Sequence, residues 1–440
     1  MFGRNAALLF EPRAMKHCRW ISSFSSLTMF LGLFAASAFG QTWSAPKTLV
    51  SVSGAQLVYG ASVGVNATGE VVAAATVNNQ VQVQVRTGGG WSSPTVLTTA
   101  SQSIALSQVA VAPNGDGVVM WLMGEKTNSY ILQGSFYTAG AWSPAVTISS
   151  AGMVVNHVAI VYDAAGLANL VWVEANSTRT SCATKAATVT STGFRAGRKI
   201  SSLCASYVRL AANAKGEVLA LLSYGNGWVI SRSAKGVWGA PIQVLQMGYR
   251  PGLQAIALSD TGVAVAITEF AGDMYFSKRA LNGTWSQQAY LAAGAGATGQ
   301  LAIAIDAKGN AEAAFTYWTT NSGGGVVYPM EASRLAAASY TWSRPVRITG
   351  SSVVVGTYSM AATRAGTFLV GWTDGGYSIN PKGNVAISSM AAGTTTWKIG
   401  YLGWGYPDIS VAVAPGTAVA LFDQYWSNPG ALLFSSATVK

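Results

Sequence analysis

Short apolar runs recur along this chain in pairs, each pair hinged on a polar turn that closes on glycine. The first members are Ala61–Val65, Gln108–Ala112, His157–Val161, Val208–Ala211, Gln254–Leu258, Leu301–Ile305, Tyr358–Ala362 and Ile409–Val413. The turns end on Gly69, Gly115, Gly166, Gly216, Gly262, Gly309, Gly366 and Gly416, spaced 46 to 57 residues apart. Small residues alternate with branched ones in the first members, as strands crowded round an axis require. The second members, such as Gly117–Trp121 and Asn169–Val173, are almost unbroken apolar runs, the pattern of strands covered on both faces. In turns such as Asn66-Ala67-Thr68-Gly69 and Asp306-Ala307-Lys308-Gly309, the Asn or Asp side chain can bond the backbone while glycine takes the positive φ.

A third strand follows in every unit, and an aromatic residue opens a fourth. These anchors are Trp43, Trp91, Trp142, Phe194, Trp238, Trp285, Trp342 and Trp397. Five lead to proline within a few residues, as in Trp91-Ser92-Ser93-Pro94. Proline suits an edge strand, so the fourth strand is the outermost and its aromatic is expected to pack between neighbouring units. Four strands repeating near every fifty residues predict an all-β, eight-bladed β-propeller with four-stranded antiparallel blades. The competing count is seven blades, if the unit around Phe194 is irregular. Residues 41–50 supply an outer strand with no inner strands before it, and the segment after Trp404 lacks an outer strand. The ring is therefore predicted to close by pairing the N-terminal strand with the C-terminal blade.

Residues 1–40 read as a signal peptide preceding a single domain over 41–440. Arg4, Arg13, Lys16 and Arg19 lead an apolar stretch, Ser26–Ala36, too short for a permanent span, and small residues follow to Gly40. Met15 is an alternative start. The expected location is secreted or periplasmic, without a transmembrane anchor after cleavage. Without the leader, 23 basic and 15 acidic residues remain, scattered along the chain. No segment combines clustered basic residues with aromatics, so nucleic acid is not an expected partner. Cys182 and Cys204 lie symmetrically about Gly193, where the repeat puts the turn between third and fourth strands, and are expected to form a disulfide.

The aromatic after that turn resembles sialidase-type, Asp-box bacterial propellers. The matching segments are Ser231–Trp238 and Ser277–Trp285, which keep serine, glycine and tryptophan but lack the aspartate and shift the glycine. The resemblance implies a propeller fold. Catalysis in that family needs an arginine triad, a tyrosine–glutamate pair and an acid/base aspartate, and no residue here can be matched to those roles.

Loops leaving the second strands and entering the first share one face, the mouth of the central channel. Glu174, Glu269, Asp374 and Asp423 end second strands there, with Glu125 and Asp408 in reach. Aromatics accompany them: Tyr224, Trp228, Tyr317, Trp318, Trp372, Tyr377, Tyr406, Tyr425 and Trp426. Acids beside aromatics suit sugars, since carboxylates accept from hydroxyls and rings stack on apolar sugar faces. The expected ligand-binding set is Glu174, Glu269, Tyr317, Trp318, Asp374, Tyr377, Asp423, Tyr425 and Trp426, with no catalytic residue. His157, on an inner strand, reads as a packed residue, and no metal site or cofactor is expected. The expected function is a monomeric, exported, non-catalytic module binding glycan or an envelope or extracellular protein. The alternatives are a divergent propeller-type glycoside hydrolase and an envelope-complex scaffold.

Overall fold

A computed structural model describes residues 41–52, 58–98, 104–126, 129–163, 165–178, 180–190, 192–246, 254–293, 300–374, 383–424 and 430–439. The leader read over residues 1–40 lies outside them. The described residues form eight four-stranded antiparallel blades arranged in a ring: an eight-bladed β-propeller. No helix occurs among them. The inner strands of blades 1 to 7 are Val58–Val65, Ile104–Val111, Met153–Tyr162, Tyr207–Ala212, Gln254–Leu258, Leu301–Ile305 and Val355–Ala362. Blade 8 takes its inner strand from the second half of Lys398–Ala414, whose first half is the outer strand of blade 7. Neighbouring inner strands touch all the way round, blade 8 against blade 1 included.

The ring closes as the unmatched ends predict. Lys47–Val52 pairs antiparallel with Gly430–Thr438, and Trp43 bridges to Ala437. The Phe194 unit is a regular blade, which removes the seven-blade count.

All eight turn glycines have positive φ, between +74° and +98°. An L side chain is strained there, so glycine sets where each first hairpin reverses. In blades 1, 3, 4 and 6 the Asn or Asp five residues before the second strand caps the turn. Asp163 Oδ1, for instance, accepts from the Ala165 and Leu167 N–H groups, and Asp306 Oδ1 from those of Lys308 and Asn310.

Each outer-strand aromatic packs against the preceding blade. Trp91 of blade 1 meets Phe434 of blade 8 edge-on, with ring centroids 4.8 Å apart. Phe194 of blade 3 meets Phe136 of blade 2, and Trp342 of blade 6 meets Phe276 of blade 5. Trp43, Trp142, Trp238, Trp285 and Trp397 join the equivalent interblade clusters. The inner strands add a polar relay near the axis. Ser359, Ser410 and Ser62 each accept from a backbone N–H of the next blade, at Val411, Val63 and Val109, over 3.1–3.3 Å. Gln108 continues it by donating to the Val158 carbonyl.

Cys182 and Cys204 are bonded, with Cα atoms 5.6 Å apart. Thr190 pairs with Gly193, so Gly193 already lies on the outer strand and is not the midpoint that the symmetry argument takes; the ladder does not run straight. Register slips between Thr184 and Lys185, carrying the later residues of the outer strand forward and Cys204 to its partner.

Two outcomes are expected in denaturant unfolding. Trp342→Ala should cost about 3–5 kcal/mol, the range for emptying a buried aromatic site. Replacing both bridging cysteines by serine should cost about 3 kcal/mol, the chain-entropy value for a loop of this size.

Candidate functional site

The ends of the second strands face the channel mouth, and strand alternation sorts the acids there. Counted from the turn glycine, Glu174 and Asp374 stand eight residues on; Glu269 and Asp423 stand seven on. The two pairs thus occupy opposite faces of their blades.

Glu174 and Asp374 each follow a buried tryptophan by two residues, and each accepts from it. Trp172 Nε1 donates to Glu174 at 3.0 Å and Trp372 Nε1 to Asp374 at 2.7 Å. Glu174 also accepts from the Ser150 N–H at 3.2 Å and pairs with Lys185 at 2.6 Å, while Lys185 donates to Ser150 Oγ. Burial raises the Glu174 pKa, but the bonds from Lys185, Trp172 and Ser150 together outweigh it and hold the carboxyl below its ordinary range. Asp374 has only the indole to set against burial, and its pKa is raised.

Glu269 accepts from the Gly272 N–H at 2.6 Å and closes its own hairpin, where Ala271 and Gly272 both have positive φ. Asp423 is 1% exposed. Burial, then the adjacent Asp408 charge, pushes its pKa well up. Asp408 accepts from the Gly60 N–H at 3.0 Å, which ties blade 8 to blade 1.

The aromatics behave differently. Tyr224, Phe270 and Trp318, at the second-strand ends of blades 4, 5 and 6, are 48%, 37% and 65% exposed. Trp228 Nε1 donates to the Tyr224 carbonyl, and the Arg347 guanidinium donates to the Tyr317 hydroxyl. A small extra hairpin, Thr319–Thr320 with Val326–Val327, follows Trp318. Tyr377, Tyr425 and Trp426 lie outside the described residues, as do the side chains of Glu125 and Tyr406.

His157 lines the channel wall of blade 3. Its Nε2 lies 3.3 Å from Arg209 of blade 4, and its ring stacks at a tilt 5.0 Å from Tyr207. Burial and then the Arg209 charge lower its pKa to about 4. Among the described residues no group of three or more His, Cys, Asp or Glu is placed to hold a metal ion.

The sequence reading passed over two spaces. At the opposite end of the channel, the first-hairpin turns enclose about 470 Å³, where Arg364 of blade 7 pairs with Asp260 of blade 5 at 2.5 Å. A larger groove of about 940 Å³ lies between the outer strand of blade 4 and blade 5. Neither shows in a linear pattern, because each is walled by residues from separate repeats. At equal distance from the turn glycine, Phe270 aligns with Tyr224 and Tyr317, each eight residues on.

No family model matches the chain, and no curated protein matches it. Solved structures are similar to the chain at low identity. A polysaccharide lyase of family PL25, an ulvan lyase, is 10% identical, with 88% of this chain and 94% of that one covered and a TM-score of 0.48. The β-propeller domain of the Trilobed protease from Pyrococcus furiosus, which has an open velcro topology, is 10% identical over 77% and 94%, with a TM-score of 0.44. A leech intramolecular trans-sialidase is 12% identical over 91% and 70%, with a TM-score of 0.36.

Elsewhere, Glu312 of blade 6 is 2% exposed and its Oε1 lies 3.6 Å from Arg334 Nε, too far for a hydrogen bond. Burial outweighs the arginine and raises its pKa from 4.5 to about 8. The unfolded chain gives up this proton above pH 4.5, whereas the native chain keeps it to about pH 8. The contribution to stability is therefore complete below pH 4.5 and is lost as pH rises to about 8. Denaturant titrations across that window should show a smaller fall in stability for Glu312→Gln than for the parent chain.

Proposed function

We propose that the chain is an exported, non-catalytic binding module that holds glycan or protein ligands by the mouth-side aromatics of blades 4 to 6. One observation carries this reading: at the second-strand ends the acids are engaged in structure while the aromatics stand exposed. Glu174, Glu269 and Asp374 are bonded to indole or backbone N–H groups, and Asp423 is closed off from solvent. Tyr224, Phe270 and Trp318 offer ring faces on three successive blades. Exposed rings of this kind can stack on sugars or apolar side chains. Tyr317 belongs to the same proposed surface, to which the sequence pattern also assigns Tyr377, Tyr425 and Trp426.

The Cys182–Cys204 disulfide is compatible with an exported protein, and no helix among the described residues is long and apolar enough to cross a membrane. Cleavage of the leader, secreted or periplasmic location and a monomeric state are parts of the proposal. A propeller-type glycoside hydrolase has one observation in its favour, the neighbouring carboxylates Asp408 and Asp423. Hydrolysis requires two carboxyls that reach opposite sides of a bound glycosidic bond, and the burial of Asp423 denies it that access.

A glycan array run beside a glycosidase panel tests this reading. Binding without turnover is expected, weakened at least tenfold in the triple variant Tyr224→Ala, Phe270→Ala, Trp318→Ala. Hydrolysis that disappears on changing any one of Glu174, Glu269, Asp374 or Asp423 would replace the module with an enzyme.

A further inference from the structure

The groove between blades 4 and 5 differs from the equivalent places round the ring. Where third and outer strands pair at one shared register, blade 2 has Gln133 with Thr147, blade 3 Lys185 with Lys199, and blade 6 Glu331 with Arg347. Blade 5 has Tyr275 with Tyr290. Tyr275 stands edge-on to Tyr290 at 5.9 Å and to Phe270 at 6.0 Å, a ladder of three rings from the blade's edge to its mouth end. Phe270 and Tyr275 line the groove, with Trp285 and, from blade 4, Ile242.

The polar lining is amide and hydroxyl. The described residues that line the groove include four glutamines, a serine and a threonine, and no Asp, Glu, Lys, Arg or His. Its volume, about 940 Å³, lies within the range of small-ligand sites, roughly 300–1,000 Å³. Gln288 of blade 5 reaches across, and its Oε1 accepts from the Gln246 N–H of blade 4 at 2.5 Å. That bond covers a backbone donor on the outer strand Ile242–Gln246. A peptide adding there as a fifth strand would have to displace it. A sugar would not, since it needs ring faces and amide groups rather than strand backbone.

From this geometry we infer that the groove between blades 4 and 5 binds a neutral oligosaccharide, one without uronate, sialate or sulfate groups. The inference rests on the reading of the chain as a binding module, and adds the ligand's class and its seat. An acidic glycan would bring a charge to a wall that has no described cation to meet it, at the cost of desolvating that charge.

The test is binding of the full chain to matched neutral and acidic oligosaccharides, by array and then calorimetry, with Gln288→Ala, Tyr275→Ala and Trp318→Ala compared. Neutral glycans should bind at least tenfold better than their acidic counterparts. Gln288→Ala and Tyr275→Ala should each weaken neutral binding about tenfold, and Trp318→Ala, on blade 6, less than about twofold. Thermal melts identify a variant that has lost its fold; should Tyr275→Ala do so, Tyr275→Leu replaces it. Neutral binding lost only with Trp318→Ala would overturn the groove and leave the module standing. A preference for acidic glycans would overturn the ligand class, and the absence of all glycan binding would overturn the inference and the glycan half of the function together.

Discussion

The ring depends on a wedge. Each outer strand opens with an aromatic that lies against the blade before it, so every blade is braced by the next. Sheets twist, and two twisted sheets laid face to face leave a gap that widens away from the axis. Alanine and serine suffice near the channel, where the inner strands crowd; an indole is needed further out. Trp91 against Phe434 is this wedge at the closing seam, where it joins residues far apart in the chain. There the wedge acts beside the backbone ladder of Lys47–Val52 with Gly430–Thr438, and together they leave no open blade.

The wedge also gives the blades a common register, which lets positions be compared. Seven residues before the turn glycine stand Ser62, Gln108, Arg209 and Ser359, on the channel wall. Six after it stand Trp121, Trp172 and Trp372, among the largest fully buried side chains. A buried indole N–H needs an acceptor, and these find one in Gln133, Glu174 and Asp374. Two of the most prominent acids at the mouth are therefore partners of the core. In blade 5 the paired position of third and outer strands carries Tyr275 and Tyr290, where blades 2, 3 and 6 carry polar or charged pairs.

Much of the fold was legible. Turn glycines and outer-strand aromatics are local requirements met in every blade, and Asn or Asp caps are met in four of the eight. The blade count and the closing pair follow from them, because a toroid leaves no strand unmatched. The disulfide was legible too, by symmetry about a hairpin, although the ladder slips on the way to it. The site was less so. An acid at the end of a strand reads the same whether it faces a ligand or an indole, and one residue of offset, as between Glu174 and Glu269, turns it to the other face.

By itself the sequence determined the strand pairs, their turns, the ring and the bridge, all of which depend on residues near each other in one repeat or on the matching of its ends. Tertiary structure alone decided which acids are engaged, that Asp408 and Asp423 meet beside the seam, and that blades 4 and 5 part to leave a groove. The partners of the acids lie mainly within their own blades and depend on strand register and burial, whereas the groove depends on which faces of two different repeats come together. That is set by the twist and packing of whole sheets, which no single stretch of chain encodes.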